Sequence, residues 1–179
     1  MPQRMSVGRF EGEAPTGDWE RPEPTLAAAL GHFVMAWSLV ESTLEVAIAK
    51  QLRLWPLDGS IVTAGLMFQG RANLLLSLLN RSPSRNRDAI ATVKAMQGIQ
   101  DRNDILHSVL GGSTEFIWFN RRRIQQEFTS KIEVYDQKRL LEAARRCSDL
   151  STELMNALGI SKADYESFFQ ETHNAANSD

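Results

Sequence analysis

The chain has 179 residues, of which 42% are hydrophobic and 23% are charged, and its formal net charge is −2. These values are typical of a globular protein with a core of its own, and they exclude a chain that is basic throughout, so any nucleic-acid surface must be a local patch. The single cysteine, Cys147, excludes an internal disulfide and favours a reducing, cytoplasmic location.

The sequence shows no sign of a signal peptide, a membrane span or a metal site. The stretch Met1–Gly17 is polar and lacks the apolar segment of a signal peptide, and no apolar run is long enough to span a bilayer. The histidines His32, His107 and His173 lie far apart in the chain, so we expect no metal site. The sequence therefore predicts no membrane association, no metal and no cofactor.

The chain divides into an arm, one domain and a tail. Residues 1–24 carry several glycines and prolines among charges and predict an irregular N-terminal arm, either anchored by Trp19 or disordered. Residues 25–172 predict a single helical domain, and 173–179 a frayed tail.

The first predicted helix starts at the N-cap Thr25 and ends before Pro56. Its apolar residues alternate at spacings of four and three, which is the seam pattern of an antiparallel helical bundle. The seam consists of Leu26, Leu30, Phe33, Trp37, Val40, Leu44 and Ala47.

Two more helices are predicted before the middle of the chain. One runs from Ser60 to about Leu79, where Gly65 and Gly70 would permit close approach by a neighbouring helix. Arg71 in this helix is either an exposed residue or part of a phosphate-binding patch. The next helix is capped by Ser84 and runs to about Leu110, where Gly111–Gly112 ends it.

The following segment is rich in β-forming residues. Phe116–Phe119 and Lys131–Tyr135 predict a small hairpin or two extended segments. Between them lie Arg121, Arg122 and Arg123, which we expect at the tip, where arginines beside aromatic residues can bind RNA phosphates and stack on bases. A solvated turn is the alternative interpretation.

The last third of the chain is helical again. Asp136 caps a fourth helix that ends before Gly159, and Ser161 with Asp164 forms a capping box for a short final helix. The predicted fold is all-α: an up-and-down bundle of four to five helices, with a small extended or β-hairpin insertion between the last two long helices.

A polar cluster lies late in the predicted third helix. Asn103 and His107 are four residues apart and would share one helix face, and Arg102 can extend over the same patch. A guanidinium, an amide and an imidazole together can hold a phosphate and move a proton near neutral pH.

The segment Arg102–His107 resembles the motif of the HEPN superfamily, helical bundles whose ribonuclease members carry an Arg, usually followed by a polar residue, and a His after four to six intervening positions. The helix order over Thr25–Leu158 also resembles that family, but the motif match is specific over only six residues. The resemblance implies a metal-independent endoribonuclease, a toxin or defence component. RNA is then cleaved through its own 2′-hydroxyl, with Arg102, Asn103 and His107 as catalytic residues.

Further partners follow from the same resemblance. HEPN nucleases pair two motifs across a dimer interface, so a homodimer is expected, and an antitoxin protein is a further expected partner. Arg71 and the arginine triplet would contact RNA. Two alternatives stay open: a non-catalytic helical bundle that binds or regulates a partner, as an antitoxin does, and a structural protein of a phage or mobile element.

Overall fold

The computed structural model describes residues 10–11, 22–99, 102, 105–106, 109–124 and 128–176. This part of the chain is mostly helical with a small sheet, which confirms the predicted fold class. The strands are β1 (Phe10–Glu11), β2 (Val109–Gly112), β3 (Phe116–Ile124) and β4 (Phe128–Asp136). The principal helices are α1 (Pro24–Leu52), α2 (Pro56–Ala64), α3 (Phe68–Leu79), α4 (Arg87–Gln97), α5 (Gln137–Leu158) and α6 (Lys162–Ala176).

The chain forms two compact units. The first, here called the sheet unit, comprises the described residues of 1–34 and 100–144. The second, the helical unit, comprises those of 35–99 and 145–179. The division falls inside α1 and inside α5, so each unit contains part of both long helices.

The sheet has the strand order β1-β4-β3-β2. Strands β3 and β4 pair in antiparallel register from Phe116↔Asp136 to Ile124↔Phe128, which confirms the predicted hairpin. Two strands were not predicted: β2 pairs antiparallel with β3, and β1 pairs parallel with β4, so part of the arm expected to be irregular is extended and hydrogen-bonded.

The sheet unit is held by side chains that alternate along the hairpin. Ile117, Phe119 and Tyr135 are all buried, and the rings of Phe119 and Tyr135 meet edge-to-face with centroids 5.4 Å apart. The guanidinium of Arg139 lies 3.8 Å from the Tyr135 ring centroid, and its Nη1 donates to the Val134 carbonyl at 2.7 Å. Aromatic packing and a cation–π contact therefore join the hairpin to the first turn of α5.

The prediction that Gly111–Gly112 ends a helix was wrong, because both glycines lie in β2. Gly111 is paired with Trp118, whose ring occupies the place of a side chain, so that a Cβ on Gly111 would collide with Trp118 Cζ2. Glycine at this position permits the indole ring to lie against the neighbouring strand.

The seam predicted on α1 is buried. Six of its seven residues are buried and Leu30 is half-buried. The buried six are Leu26, Phe33, Trp37, Val40, Leu44 and Ala47. In the helical unit Trp37 meets Phe68 of α3 with ring centroids 4.7 Å apart.

The two helices predicted next have different boundaries. The expected helix over Ser60–Leu79 is two helices, since α2 already begins at Pro56 and ends at Ala64, and Gly65–Met67 separate it from α3. The helix expected to reach Leu110 ends at Gln97, where the Gly98 N–H donates to the carbonyls of Lys94 and Ala95. Glycine weakens a helix, and in both places the helix ends beside one.

Close helix approach occurs at a different glycine from those expected. A Cβ on Gly65 would have no neighbouring atom within 4 Å, and a Cβ on Gly70 would meet only the Leu66 side chain. A Cβ on Gly59, in contrast, would lie 2.6 Å from Ala49 Cβ and 3.2 Å from the Phe168 ring. Gly59 is therefore the residue that lets α2 pack against α1 and α6.

The caps predicted in the last third are confirmed. Asp136 Oδ1 accepts from the Arg139 N–H at 2.7 Å, and Gly159 follows α5 with φ +63°. Ser161 and Asp164 form the reciprocal capping box, with bonds of 2.9 and 3.1 Å. The Ser161 backbone and side-chain donors lower the pKa of the Asp164 carboxyl below its usual range.

Substitution of Gly59 by alanine tests the close approach. We expect Gly59→Ala to lower the free energy of unfolding by about 1 kcal/mol or more, because overpacking outweighs the better helix propensity of alanine. Urea denaturation measures the change. The matched control is Gly65→Ala, where a Cβ meets open space, and equal stability of the two variants would contradict the role given to Gly59.

Candidate functional site

Arg102 is the one of the three predicted catalytic residues that lies within the described structure. The backbone is helical at Arg102, Ile105 and Leu106, and Ile105 is buried. Arg102 itself is half-buried, and its Nε atom is closed to solvent. The Nε atom is therefore not accessible to a ligand from solvent.

The other two residues of the predicted cluster, Asn103 and His107, lie outside the described residues. Their distances from Arg102 stay a prediction from helical spacing. The continuous helix that was expected to carry them is replaced by α4, which ends at Gln97, a helical backbone at Arg102 and again at Ile105–Leu106, and β2.

The arginine triplet lies in a strand and not at a tip. Arg121, Arg122 and Arg123 pair through their backbones with Lys131, Ser130 and Thr129 of β4, and β3 continues to Ile124. The strand extends further because β-forming residues on both sides of the triplet keep the backbones in register. The triplet's side chains lie outside the described part of the structure.

Arg71 has a structural contact. It lies on α3, is half-buried, and its Nε donates to the Thr63 carbonyl at 3.3 Å, near the end of α2. Thr63 is fully buried and its hydroxyl donates to the Gly59 carbonyl at 3.0 Å. Arg71 thus helps to hold the end of α2, and its predicted contact with RNA stays a prediction.

Neither a metal cluster nor a membrane-spanning helix is found in the described part of the chain. Within these ranges no group of three or more His, Cys, Asp or Glu side chains is arranged to hold a metal ion. In the same residues no helix has both the length and the hydropathy needed to cross a bilayer.

The helical unit contains a basic cavity that the sequence did not indicate. Its volume is about 340 Å³. Four cationic residues line it, Lys50, Arg53, Arg81 and Arg85, and no described residue of its lining is acidic. They come from the last turn of α1 with the residue that follows it, and from the connection between α3 and α4, and only the tertiary fold brings these segments together. The density of arginine between Arg81 and Arg87 was the one available signal.

Arg53 occupies an unusual backbone conformation. Its φ is +56°, in the left-handed region, where glycine is the usual residue. The end of α1 is a Schellman motif, in which the Leu54 N–H donates to the Ala49 carbonyl at 2.9 Å and the Arg53 N–H to Lys50 at 3.2 Å. An arginine at this position costs conformational energy that glycine would not, and its side chain lines the basic cavity.

The fold defines the chain as a mostly helical protein with a small sheet inserted before its last two helices. Comparison with protein-family models, with curated proteins and with solved structures finds no match in any of the three.

The left-handed residue at the end of α1 can be tested directly. We expect Arg53→Gly to raise the free energy of unfolding by about 1 kcal/mol, because glycine adopts this conformation without a steric penalty. Thermal and urea denaturation measure the gain. Gln51→Gly, within the helical part of α1, is the control and should destabilise; a loss of stability in Arg53→Gly would show that the arginine side chain itself holds the turn.

Proposed function

We propose that the chain is a HEPN-like, metal-independent endoribonuclease that acts as a homodimer. The observation that carries the proposal is the Arg102–His107 motif, with a half-buried arginine on helical backbone in a mostly helical chain. The same proposal includes a toxin or defence role and an antitoxin partner, which rest on the resemblance alone. It also includes a cytoplasmic location, which rests on the single cysteine.

The proposed reaction uses the 2′-hydroxyl of the RNA and the motifs of two copies of the chain. Imidazole side chains in general can accept and donate a proton near neutral pH. In the proposed reaction His107 takes the proton of the 2′-hydroxyl as the 2′-oxygen attacks phosphorus. The bond between phosphorus and the 5′-oxygen breaks, and the leaving 5′-oxygen takes a proton from the histidine of the second copy's motif. The products are a 2′,3′-cyclic phosphate and a 5′-hydroxyl.

Arg102 and Asn103 assist the two proton transfers. The Nη atoms of Arg102 stabilise the negative charge that develops on the phosphoryl oxygens, and Asn103 orients the imidazole or donates to the phosphate. One motif offers a single histidine for two proton transfers, which is why the proposal requires the motif of a second copy.

Four further arginines are proposed to contact the phosphate backbone of the RNA. Arg121, Arg122 and Arg123 supply three charges within β3, and Arg71 supplies one on α3. Phosphate contacts of this kind bind RNA without reading its bases, so they give affinity that falls with salt.

A second function is favoured by a specific observation on α2. This helix buries Gly59 and Thr63 but exposes Leu57 and Ile61, which lie on the opposite face, and Ile61 is 65% accessible. Trp55 and Met67, which flank the helix, are exposed too. A helix with small residues inside and large apolar residues outside is typical of an interaction surface, so a non-catalytic binding or regulatory protein is the alternative.

The nuclease is tested by His107→Ala. We expect the purified variant to lose RNA cleavage by a factor of about 10² to 10⁴, because a general acid–base group contributes that much to the rate. The assay uses mixed cellular RNA with a chelator present and scores 2′,3′-cyclic phosphate ends.

The matched control is His32→Ala, since His32 is exposed on α1, and it should cleave like the wild type. Thermal denaturation of both variants excludes unfolding as the cause. Undiminished cleavage by His107→Ala would reject the assignment, and a wild type that cleaves no RNA would favour the binding protein.

The surface of α2 is tested by the double variant Leu57→Ser with Ile61→Ser. A second copy of the chain is the partner tried first, because the nuclease also requires a dimer. We expect self-association to weaken by roughly tenfold or more, since two apolar side chains are removed from the interface, and the unfolding free energy to change by less than about 0.5 kcal/mol.

Sedimentation velocity measures the association. Met35→Ser is the control, because Met35 is 73% accessible but lies on α1. Unchanged association of the double variant would show that copies of the chain do not meet through α2.

A further inference from the structure

The basic cavity of the helical unit is built from the ends of three elements. Lys50 and Arg53 come from the C-terminal end of α1, Arg81 and Arg85 from the connection between α3 and α4, and the wall is completed by the last residues of α5. The apolar lining is limited to Leu78, Ala157 and Leu158. Such a cavity has little surface for an apolar ligand and much for a charged one.

The positive charge of the three cavity arginines is not neutralised within the described residues, whereas the charge of Lys50 acts on Asp164 and contributes to the lowered pKa of that carboxyl. No carboxylate of the described residues forms an ion pair with Arg53, Arg81 or Arg85. Lys50 is engaged differently, since its Nζ donates to the Gly159 carbonyl at 2.6 Å, at the end of α5. Three guanidinium groups therefore remain available to an anion.

The backbone at one wall adds to this field. Asn86 lines the cavity and is the N-cap of α4, but its side chain donates to the Leu79 carbonyl at 2.9 Å and makes no cap hydrogen bond. The first N–H groups of α4 are thus left uncapped by Asn86, and the positive end of the helix dipole lies at this wall.

We propose that this cavity binds a compact oligophosphate anion: inorganic pyrophosphate or the phosphate tail of a nucleotide. Guanidinium groups donate pairs of hydrogen bonds in the geometry of phosphate oxygens, and several of them around one cavity match an anion with several charges. The volume of about 340 Å³ is at the small end of ligand sites. The backbone conformation of Arg53 agrees with this proposal. Glycine would adopt the left-handed conformation at lower cost, but only arginine supplies a guanidinium to the cavity.

The first experiment measures binding of inorganic pyrophosphate to the full chain by isothermal titration calorimetry, with sulfate as a single-centre anion for comparison. We expect pyrophosphate to bind at least roughly tenfold more tightly than sulfate, since it offers more oxygens to the same donors. Comparable affinities for the two anions, or no pyrophosphate binding at millimolar concentration, would overturn the proposal.

Variants of the cavity arginines then test whether pyrophosphate binds in this cavity. Arg81→Gln with Arg85→Gln should weaken pyrophosphate binding by roughly tenfold or more, because two charged donors are lost. Both residues are exposed, so the fold should survive. The matched control is Lys94→Gln, which removes one exposed charge of α4 outside the cavity lining and should change the affinity less than about twofold. Equal binding by the double variant and the wild type would overturn the assignment.

Arg53→Gly separates binding from folding. It should raise thermal stability and yet weaken pyrophosphate binding, a combination that general damage to the fold cannot produce. Pyrophosphate binding that is unchanged in Arg53→Gly would remove Arg53 from the site and overturn the reason given for its backbone conformation.

Nucleotides distinguish the two sources of the anion. ATP and ADP that bind more tightly than AMP, and compete with pyrophosphate, would support a nucleotide tail, whereas pyrophosphate binding without nucleotide binding would support the inorganic anion. An RNA oligonucleotide without terminal phosphates that binds more tightly than pyrophosphate, and is weakened by the double variant, would replace the proposal with an RNA site.

Pyrophosphate binding in the cavity is independent of the proposed nuclease. His107→Ala should bind pyrophosphate like the wild type, and Arg81→Gln with Arg85→Gln should retain any RNA cleavage. Failure of one proposal therefore leaves the other measurable.

Discussion

The contact between Ala49 and Gly59 organises the helical unit. A Cβ on Gly59 would lie 2.6 Å from that of Ala49, so the two helices approach as closely as two small residues allow, and the Phe168 ring lies beside the same point. This contact fixes which face of α2 is inside. Since Gly59 faces α1 and α6 and Thr63 is buried on the same side of α2, Leu57 and Ile61 on the opposite side have no place in the core. The exposed apolar surface of α2 is thus a consequence of tight packing and not an accident of composition.

The same end of α1 also shapes the basic cavity. The Schellman motif ends the helix at Leu52 and turns the chain at Arg53. Lys50 donates to Gly159 near the end of α5, where a cation is favourable because the last carbonyls of a helix carry partial negative charge. The charge of Lys50 is therefore used at the end of α5, and the three arginines supply the remaining positive charge of the cavity. A chain with net charge −2 can carry such a site because charge is concentrated by tertiary structure.

Sequence patterns predicted the features that depend on residues close together in the chain. The seam of α1, the Asp136 cap, the Ser161–Asp164 capping box and the β3–β4 hairpin each follow from residues close together in the chain, and each is present. The fold class followed from them. Errors arose where contacts between separate elements decide: Gly111 lies against the Trp118 ring of the neighbouring strand, and Gly59 lies against Ala49 and Phe168. Apolar periodicity alone also extended the helix of α4 beyond Gln97.

The candidate sites divide along the same line. The Arg102–His107 motif is local in sequence and could be found by inspection, whereas the cationic residues of the basic cavity extend over 35 positions, from Lys50 to Arg85, and have no sequence pattern. A motif of six residues can be matched by chance more easily than a cavity in which one sign of charge is collected from separate elements. The motif nevertheless carries the more specific chemistry, since it pairs a group that can transfer a proton with one that can hold a phosphate.

Association and cleavage are separable properties of this chain. Arg102 belongs to the sheet unit and the exposed face of α2 to the helical unit. A dimer formed through α2 would not by itself bring two motifs together, because the face of α2 and the proposed catalytic residues lie in different parts of the sequence. A nuclease of the proposed kind requires both, while a binding protein requires only the first. The apolar face of α2 is thus compatible with either proposed function, and the proton transfer proposed for the His107 imidazole is what distinguishes them.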